Sequence, residues 1–252
     1  VVYTLVKRIL SLTPLGSEVF FSAVDINGVQ HNEHIVNKDG IITEFIGHVK
    51  NPMCKPIIIG DDNGEFKIDL ALVYDGGTEN DPPLSEEITT AFCNMCPTVK
   101  GDHIDGVVDG VCRWFMTYMN NIFLANQKAK VKTKVNSSDI RTGLNVMISG
   151  FCLEPVFVGQ AKEQLNVPEM ATFVKRVVMT GLDEWSKSNP ADLTRLCKYF
   201  KDIADARMKM DKEKIKIVTS YQQNSLTGLP RKYAKPTERE EEFIIVEGDS
   251  AG

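Results

Sequence analysis

The chain has 252 residues, of which 42% are hydrophobic and 25% are charged, and its formal net charge is −5. These proportions are ordinary for a globular protein, and the negative charge excludes a wholly basic nucleic-acid binder while leaving room for local basic stripes. The sequence has no apolar run long enough to cross a membrane and no secretory signal pattern, so we expect a cytoplasmic protein. Since it begins with Val1 and ends within a predicted turn, we expect a piece of a longer protein.

Cysteine and histidine do not form a recognisable metal site in this sequence. Cys93 and Cys96 make a C-x-x-C pair, but the second pair that a structural zinc site needs is missing. His31 and His34 lack the H-E-x-x-H spacing of zinc enzymes. We therefore expect free thiols in a reducing compartment and no histidine catalysis.

The first fifth of the chain is predicted to hold a hairpin between two helical segments. Apolar residues recur at helical spacing over 1–12 and again over 41–49. Between them, a run at 18–26 is joined by an Asn-Gly dipeptide at 27–28 to a second run that starts at Val29. Asn-Gly suits a two-residue hairpin turn, so the two runs are expected to pair.

The middle of the chain is predicted to begin with strands and continue as a helix. Apolar patterning indicates strands at 57–60, 65–74 and 88–95. An amphipathic helix follows, with Asp102 as its expected N-cap and Asp105 adding negative charge to its first turn. The aromatic residues of its apolar face are expected in the core and not on a base-stacking platform.

A lysine stripe follows this helix. Lys128, Lys130, Lys132 and Lys134 recur at every second position. In an extended strand they would share one face at intervals of about 6.6 Å, close enough to follow a phosphate backbone. The alternative is a solvated edge whose lysines guard against aggregation.

The next segments are a capped helical turn at 137–141, an apolar strand at 144–152 and a polar loop. Gln160 and Lys162 in that loop offer an amide and a point cation of the kind that binds phosphate, although by themselves they favour a plain surface loop.

Two long helices are then predicted, one opened by Pro168 and one starting at 188–192. The second half of the later helix, 207–216, is dense in alternating charges and is expected to project into solvent.

The chain closes with four apolar residues at 243–246, three of them β-branched, which run into an acidic, glycine-flanked turn. This pattern predicts a buried strand that presents Glu247 and Asp249 at its carboxyl end. Their spacing suits a hard cation such as Mg²⁺, and the alternative is an ordinary turn.

Six short motifs occur in order along the chain. They are Ala-Phe-Cys-Asn at 91–94, Gly-Asp-His-Ile-Asp-Gly-Val at 101–107, Asp-Ile-Arg-Thr-Gly-Leu at 139–144, Gly-Gln-Ala-Lys at 159–162, Gly-Leu-Pro-Arg-Lys at 228–232 and Glu-Gly-Asp-Ser-Ala-Gly at 247–252. Together they resemble the gyrase B-like ATPase subunit of type II DNA topoisomerases, and the likeness is greatest to the large subunit of T-even-type bacteriophage topoisomerases. The last motif is a specific signature, and the others gain weight from their order.

The resemblance implies an α/β (α+β) protein of three parts. Residues 1–50 would be the C-terminal part of a GHKL ATP-binding domain. Residues 51–235 would be the transducer domain, a ribosomal-protein-like βαβ fold with long helices, and residues 236–252 would start a TOPRIM domain.

The resemblance also implies two catalytic residues. Lys162 matches a transducer lysine that reaches the γ-phosphate of ATP, with Gln160 beside it, while Ala161 stands where the family has threonine. Glu247 matches the TOPRIM glutamate that holds Mg²⁺ during DNA cleavage.

Further cofactors and partners follow from the same resemblance. Arg231, Lys232 and Lys235 match a basic segment near DNA, although a mere linker is the alternative. The implied cofactors are ATP and Mg²⁺. The implied partners are double-stranded DNA, a second copy of the ATPase subunit and the topoisomerase subunits that carry the DNA-cleaving tyrosine, with no membrane. The compartment would be the host cytoplasm for a bacteriophage protein.

The sequence therefore predicts part of an ATP-dependent type II DNA topoisomerase, an isomerase, that couples ATP binding and hydrolysis to the passage of one duplex through another. The piece by itself is expected to be inactive. The alternatives are a GHKL-type conformational scaffold resembling MutL, which leaves the glutamate turn unexplained, and a non-enzymatic interaction module.

Overall fold

The computed structural model describes residues 18–36, 49, 51–78, 80–84, 87–125 and 133–226. The chain divides into two units, Val1–Ala204 and Asp205–Gly252, and each is described by itself. The predicted segments at 1–12 and 243–246 lie outside the described residues, as does the stretch at 41–49 apart from Val49.

The described residues form nine strands, four α-helices and one π-helical turn. The strands are β1 (Glu18–Val24), β2 (Gln30–Val36), β3 (Ile57–Asp62), β4 (Phe66–Tyr74), β5 (Ile88–Cys93), β6 (Cys96–Thr98), β7 (Lys100–Gly101), β8 (Leu144–Cys152) and β9 (Gln164–Leu165). The helices are α1 (Asp102–Tyr118), α2 (Ser137–Arg141), α3 (Pro168–Ser188) and α4 (Pro190–Leu226), and the π-helical turn (Met119–Phe123) follows α1. A mixed α/β architecture is thereby confirmed.

The predicted hairpin is confirmed, but its turn is longer than expected. β1 and β2 pair antiparallel, with Val24 opposite Gln30. The carboxylate of Asp25 accepts the N–H groups of Asn27 (2.8 Å) and Val29 (2.9 Å). Because this side chain captures the turn's backbone donors, residues 25–29 form a five-residue loop around the Asn-Gly dipeptide.

A five-stranded sheet in the order β3-β4-β8-β5-β6 organises the first unit. β8 lies at its centre, antiparallel to β4 and parallel to β5, so that Ile148 is opposite both Leu70 and Ala91. Eight of the nine β8 residues are buried. This central position explains why the sequence of β8 is almost continuously apolar.

One face of the sheet shares a core with α1, α3 and the first part of α4. Tyr74, Phe115 and Phe200 are fully buried and pack edge to face, with Tyr74 and Phe115 each about 5 Å from the Phe200 ring centroid. Trp114 stacks on Tyr118 and donates its indole N–H to Asp183 (2.6 Å). The prediction that the aromatic stripe of α1 belongs to the core is confirmed.

α1 and α3 approach closely because two glycines of α1 face α3. A Cβ atom at Gly106 would lie 2.7 Å from the Ala171 carbonyl oxygen, and one at Gly110 would lie 3.0 Å from Val178 Cβ. Contact along these positions makes the two helices one packed layer.

In the second unit, the described residues, 205–226, are the last part of α4. Side chains from 209 to 219 are exposed and those of Arg207 and Met208 are half-buried, so the prediction that the charged second half projects into solvent is confirmed from 209 onward. Across the described ranges, no helix combines the length and apolarity needed to cross a membrane.

Candidate functional site

The segment between β8 and α3 contains an ordered loop, residues 156–166, which we call the lysine loop. Its two arms pair through the backbone. Val158 donates its N–H to the Gln164 carbonyl (2.8 Å), and Asn166 donates its N–H to the Val156 carbonyl (2.8 Å). The predicted polar loop is therefore a hairpin-like element.

Gln160 and Lys162 lie at the tip of the lysine loop, and both are exposed. The tip uses two left-handed residues, Gly159 with φ 76° and Lys162 with φ 56°. For a lysine this conformation costs about 1–2 kcal/mol. Such strain persists only where the surrounding structure enforces it, and it clusters at ligand-binding positions. The tip of the lysine loop is thus a tight turn that holds Lys162 in an uncommon backbone conformation, as the turn at Asn94 and Met95 does for those residues.

The second arm of the lysine loop is fixed to the segment that precedes α1. The Glu163 carbonyl accepts the N–H groups of Val99 (2.8 Å) and Lys100 (3.2 Å). β7 and β9 then pair in parallel, which places Gly101 opposite Leu165. Lys162 is therefore one residue away from a backbone anchor.

Gly101 permits this pairing because it has no side chain. Its φ is 138°, and a Cβ atom there would lie 2.7 Å from both the backbone N and O of Leu165. Sequence reasoning missed β7 and β9, because strands of two residues have no detectable period. The one available signal was the glycine itself, which often marks a close backbone approach.

Asp102 does not cap α1, so the predicted N-cap is wrong. The N-cap is Gly101, and no side chain caps the helix. The Asp102 carboxylate instead accepts the N–H of Val167, the residue before α3. The competing partner is 65 positions away in sequence, and local propensity carries no information about it.

His103, the residue after Asp102, is fully buried. Its Nε2 lies 2.8 Å from the Thr98 hydroxyl, and its Nδ1 has no hydrogen-bond partner among the described atoms. Burial lowers the pKa of His103 to about 4, so the imidazole is neutral at pH 7. A neutral, enclosed imidazole has a structural role here.

A cleft of about 480 Å³ lies at the root of the lysine loop and is lined in part by Glu65, Glu154 and Glu169. Three carboxylates oppose the binding of an anion. This cleft is therefore a poor candidate for an anion site.

The structure places only part of the predicted site. Glu247, Arg231, Lys232 and Lys235 lie outside the described residues, as do the first three lysines of the predicted stripe. Within the described ranges, no three His, Cys, Asp or Glu side chains converge as a metal site. Gln160 and Lys162 are thus the residues of the predicted ATP and metal sites that lie within the described part of the chain.

The C-x-x-C pair forms the ends of a tight hairpin. Cys93 faces Cys96 across a turn in which Asn94 and Met95 have φ of 49° and 65°. Both thiols are free, and burial raises the pKa of Cys93 to about 12. This thiol is therefore a poor nucleophile at pH 7.

Comparison with known proteins identifies the family. The family model described as DNA gyrase B matches residues 29–216, which is most of the chain. The chain belongs to the DNA gyrase B family. It is 33% identical over 224 residues to the DNA gyrase B protein of Mycobacterium leprae, covering 84% of this chain and 31% of the relative. It is 29% identical over 164 residues to the B-type subunit of DNA topoisomerase 4 from Bartonella bacilliformis, covering 64% of this chain and 23% of that relative. The chain thus spans about a third or less of these gyrase B-type relatives.

Solved structures of the family share the fold. The topoisomerase IV ATP-binding domain of Francisella tularensis, solved with a small-molecule inhibitor, has a TM-score of 0.64 at 21% identity, over 82% of this chain and 54% of that one. The 43K ATPase domain of Thermus thermophilus gyrase B, solved with an aminocoumarin, has a TM-score of 0.66 at 20% identity. The match covers 84% of this chain and 55% of that one. At these identities the likeness establishes the gyrase B-type fold.

Proposed function

We propose that this chain is part of an ATP-dependent type II DNA topoisomerase subunit and couples the state of bound ATP to passage of a DNA duplex. Residues 1–50 would complete an ATP-binding domain, 51–235 would form the transducer and 236–252 would start a TOPRIM domain. Membership in the DNA gyrase B family supports this proposal over a MutL-like scaffold or an interaction module. The likeness to bacteriophage subunits stays a prediction.

Lys162 carries the proposal. It stands at an exposed loop tip in a strained backbone conformation, one residue from the anchored Glu163 carbonyl. Its ammonium is a compact cation with three donors, which fits a phosphate group, and the amide of Gln160 adds a further donor. Ala161 has no side chain able to donate, so the contact expected from threonine is absent.

Bound ATP would supply the terminal phosphate whose charge Lys162 neutralises. The chain's own contribution is to hold the ammonium at the tip of an ordered loop while the acidic cleft at the loop's root excludes the same anion. Because the second arm is hydrogen-bonded to the segment that precedes α1, gain or loss of that phosphate would act on an ordered element.

The DNA-facing part of the proposal rests on sequence. Glu247 would hold Mg²⁺ at the DNA-cleaving centre, and Arg231, Lys232 and Lys235 would approach the duplex. The expected partners are double-stranded DNA, a second copy of the ATPase subunit and the subunits with the DNA-cleaving tyrosine, in the cytoplasm, or in the host cytoplasm for a bacteriophage protein.

The test replaces Lys162 in the full subunit assembled with its partner subunits. Lys162→Ala is expected to reduce ATP-dependent strand passage about a hundredfold or more, because it removes a cation aimed at developing phosphate charge. Metal-dependent DNA cleavage should stay within about twofold, since that centre does not contain Lys162. Strand passage is measured by relaxation of supercoiled plasmid, and ATP hydrolysis by phosphate release.

Lys187→Ala is the matched control, because it removes an exposed lysine at the far end of α3. It should leave both activities unchanged. Wild-type rates of ATP hydrolysis and strand passage in Lys162→Ala would refute the assignment.

A further inference from the structure

The contacts of the lysine loop are concentrated on its second arm. Glu163 binds Val99 and Lys100 through its carbonyl, and Leu165 lies against Gly101. The residue after the arm, Val167, donates its N–H to the Asp102 carboxylate. These contacts tie the arm to residues 99–101, which lead into α1, and tie the next residue, Val167, to the first residue of α1.

Among these contacts, the hydrogen bond from Val167 to Asp102 is the one that uses a side chain. Asp102 is the first residue of α1, and Val167 is the residue that precedes α3. The hydrogen bond therefore joins the starts of two helices that pack closely further along, at Gly106 and Gly110. Val167 is buried, so its N–H has little access to water as an alternative partner.

We propose that Asp102 is a positioning residue that fixes Val167, the junction between the lysine loop and α3, to the start of α1, so that displacement of Lys162 moves α1 and α3 together. This inference rests on the proposed function of Lys162. Without the Asp102 contact, the backbone bonds between the arm and residues 99–101 remain, but the start of α3 is no longer held to α1 and follows a displacement of the loop less fully. Loss of the Asp102 contact then lowers the number of duplex passages per ATP molecule. It leaves the contact between Lys162 and phosphate in place, because Asp102 takes no part in that contact.

The experiment compares three substitutions in the full subunit assembled with its partners. Asp102→Ala removes the acceptor, and Asp102→Asn keeps a side-chain oxygen that accepts the Val167 N–H. Asp105→Ala is the matched control, because it removes an exposed carboxylate from the same first turn. The readout is the number of strand passages per ATP hydrolysed, measured with plasmid relaxation and phosphate release in one reaction.

We expect this ratio to fall about tenfold in Asp102→Ala, to return to within about twofold of wild type in Asp102→Asn, and to be unchanged in Asp105→Ala. Amide hydrogen exchange at Val167 should speed up in Asp102→Ala alone. If Asp102→Ala does not fold, Asp102→Ser, whose hydroxyl is one bond shorter than the carboxylate oxygen, replaces it with the same expected ratio.

A wild-type ratio in the alanine or serine variant overturns the positioning role. An equal fall in Asp105→Ala overturns it too, since the effect would then come from charge at the helix start. Failure of the proposed function is separate: it shows as Lys162→Ala with undiminished ATP-dependent strand passage, whatever the behaviour of Asp102.

Discussion

Lowering the pH should destabilise this fold through His103. The imidazole is fully buried beside Thr98, and burial lowers its pKa from 6.5 to about 4. Between these two values the unfolded chain takes up a proton that the folded chain does not. The contribution to stability is therefore complete above pH 6.5 and is lost as the pH falls toward 4.

The size of the effect follows from the two pKa values. The full difference between 6.5 and about 4 corresponds to about 3 kcal/mol of unfolding free energy. At pH 4.5 most of this has been lost, so we expect wild type to lose about 2–3 kcal/mol through His103 between pH 7 and pH 4.5. A loss of this size is a large share of a typical domain stability.

Urea unfolding at several pH values, followed by circular dichroism, measures this loss. The reference variant is His103→Gln, which is neutral at every pH and should lack the His103 part of the dependence. His34→Gln removes an exposed histidine of the hairpin, and this variant should show the same His103 part of the pH dependence as wild type. Parallel pH dependences for wild type and His103→Gln, differing by less than about 0.5 kcal/mol across this range, would refute the reasoning.

Two further substitutions test the local geometry. Gly101→Ala should cost about 2 kcal/mol or more in urea unfolding, because φ is 138° and the new Cβ would meet Leu165 backbone atoms at 2.7 Å. Gly159→Ala, at φ 76° with open space around it, should cost only about 1 kcal/mol, and equal losses would contradict the close approach at Gly101. Asn94→Ala should cost about 1–3 kcal/mol, because the Asn94 amide bonds both the N–H and the carbonyl of Cys152 at 2.8 Å. Asn94→Asp keeps the acceptor for the Cys152 N–H but turns a carboxylate oxygen toward the Cys152 carbonyl, so it should lose at least as much as Asn94→Ala; a loss below about 0.5 kcal/mol in either variant would count against the paired contact.

Much of the architecture could be predicted from sequence. The alternating and continuous apolar runs indicated β3, β4, β5 and β8, and the spacing of apolar residues indicated α1, α3 and α4. Periodicity succeeds in these elements because each buries a face against one core. It failed at the turn after β1, where the Asp25 side chain outcompetes the Asn-Gly signal for the backbone donors.

The candidate site was predicted only in part. The motif around Lys162 indicated the lysine, and membership in the DNA gyrase B family agrees with the resemblance from which that prediction came. The left-handed backbone of Lys162 and the two-residue strands that anchor its loop leave no trace in a local pattern. The roles of Gln160, Lys162 and Glu247 stay predictions.

Sequence by itself determined the elements, the core faces and the family of this protein, because periodicity and motif order are properties of neighbouring residues along the chain. Only the tertiary structure decided what Asp102 does. As an isolated segment its carboxylate would cap its own helix, yet in the fold it accepts the Val167 N–H, 65 positions away. A buried backbone donor with no other partner binds the nearest strong acceptor, and which acceptor is nearest depends on how α1 and α3 pack.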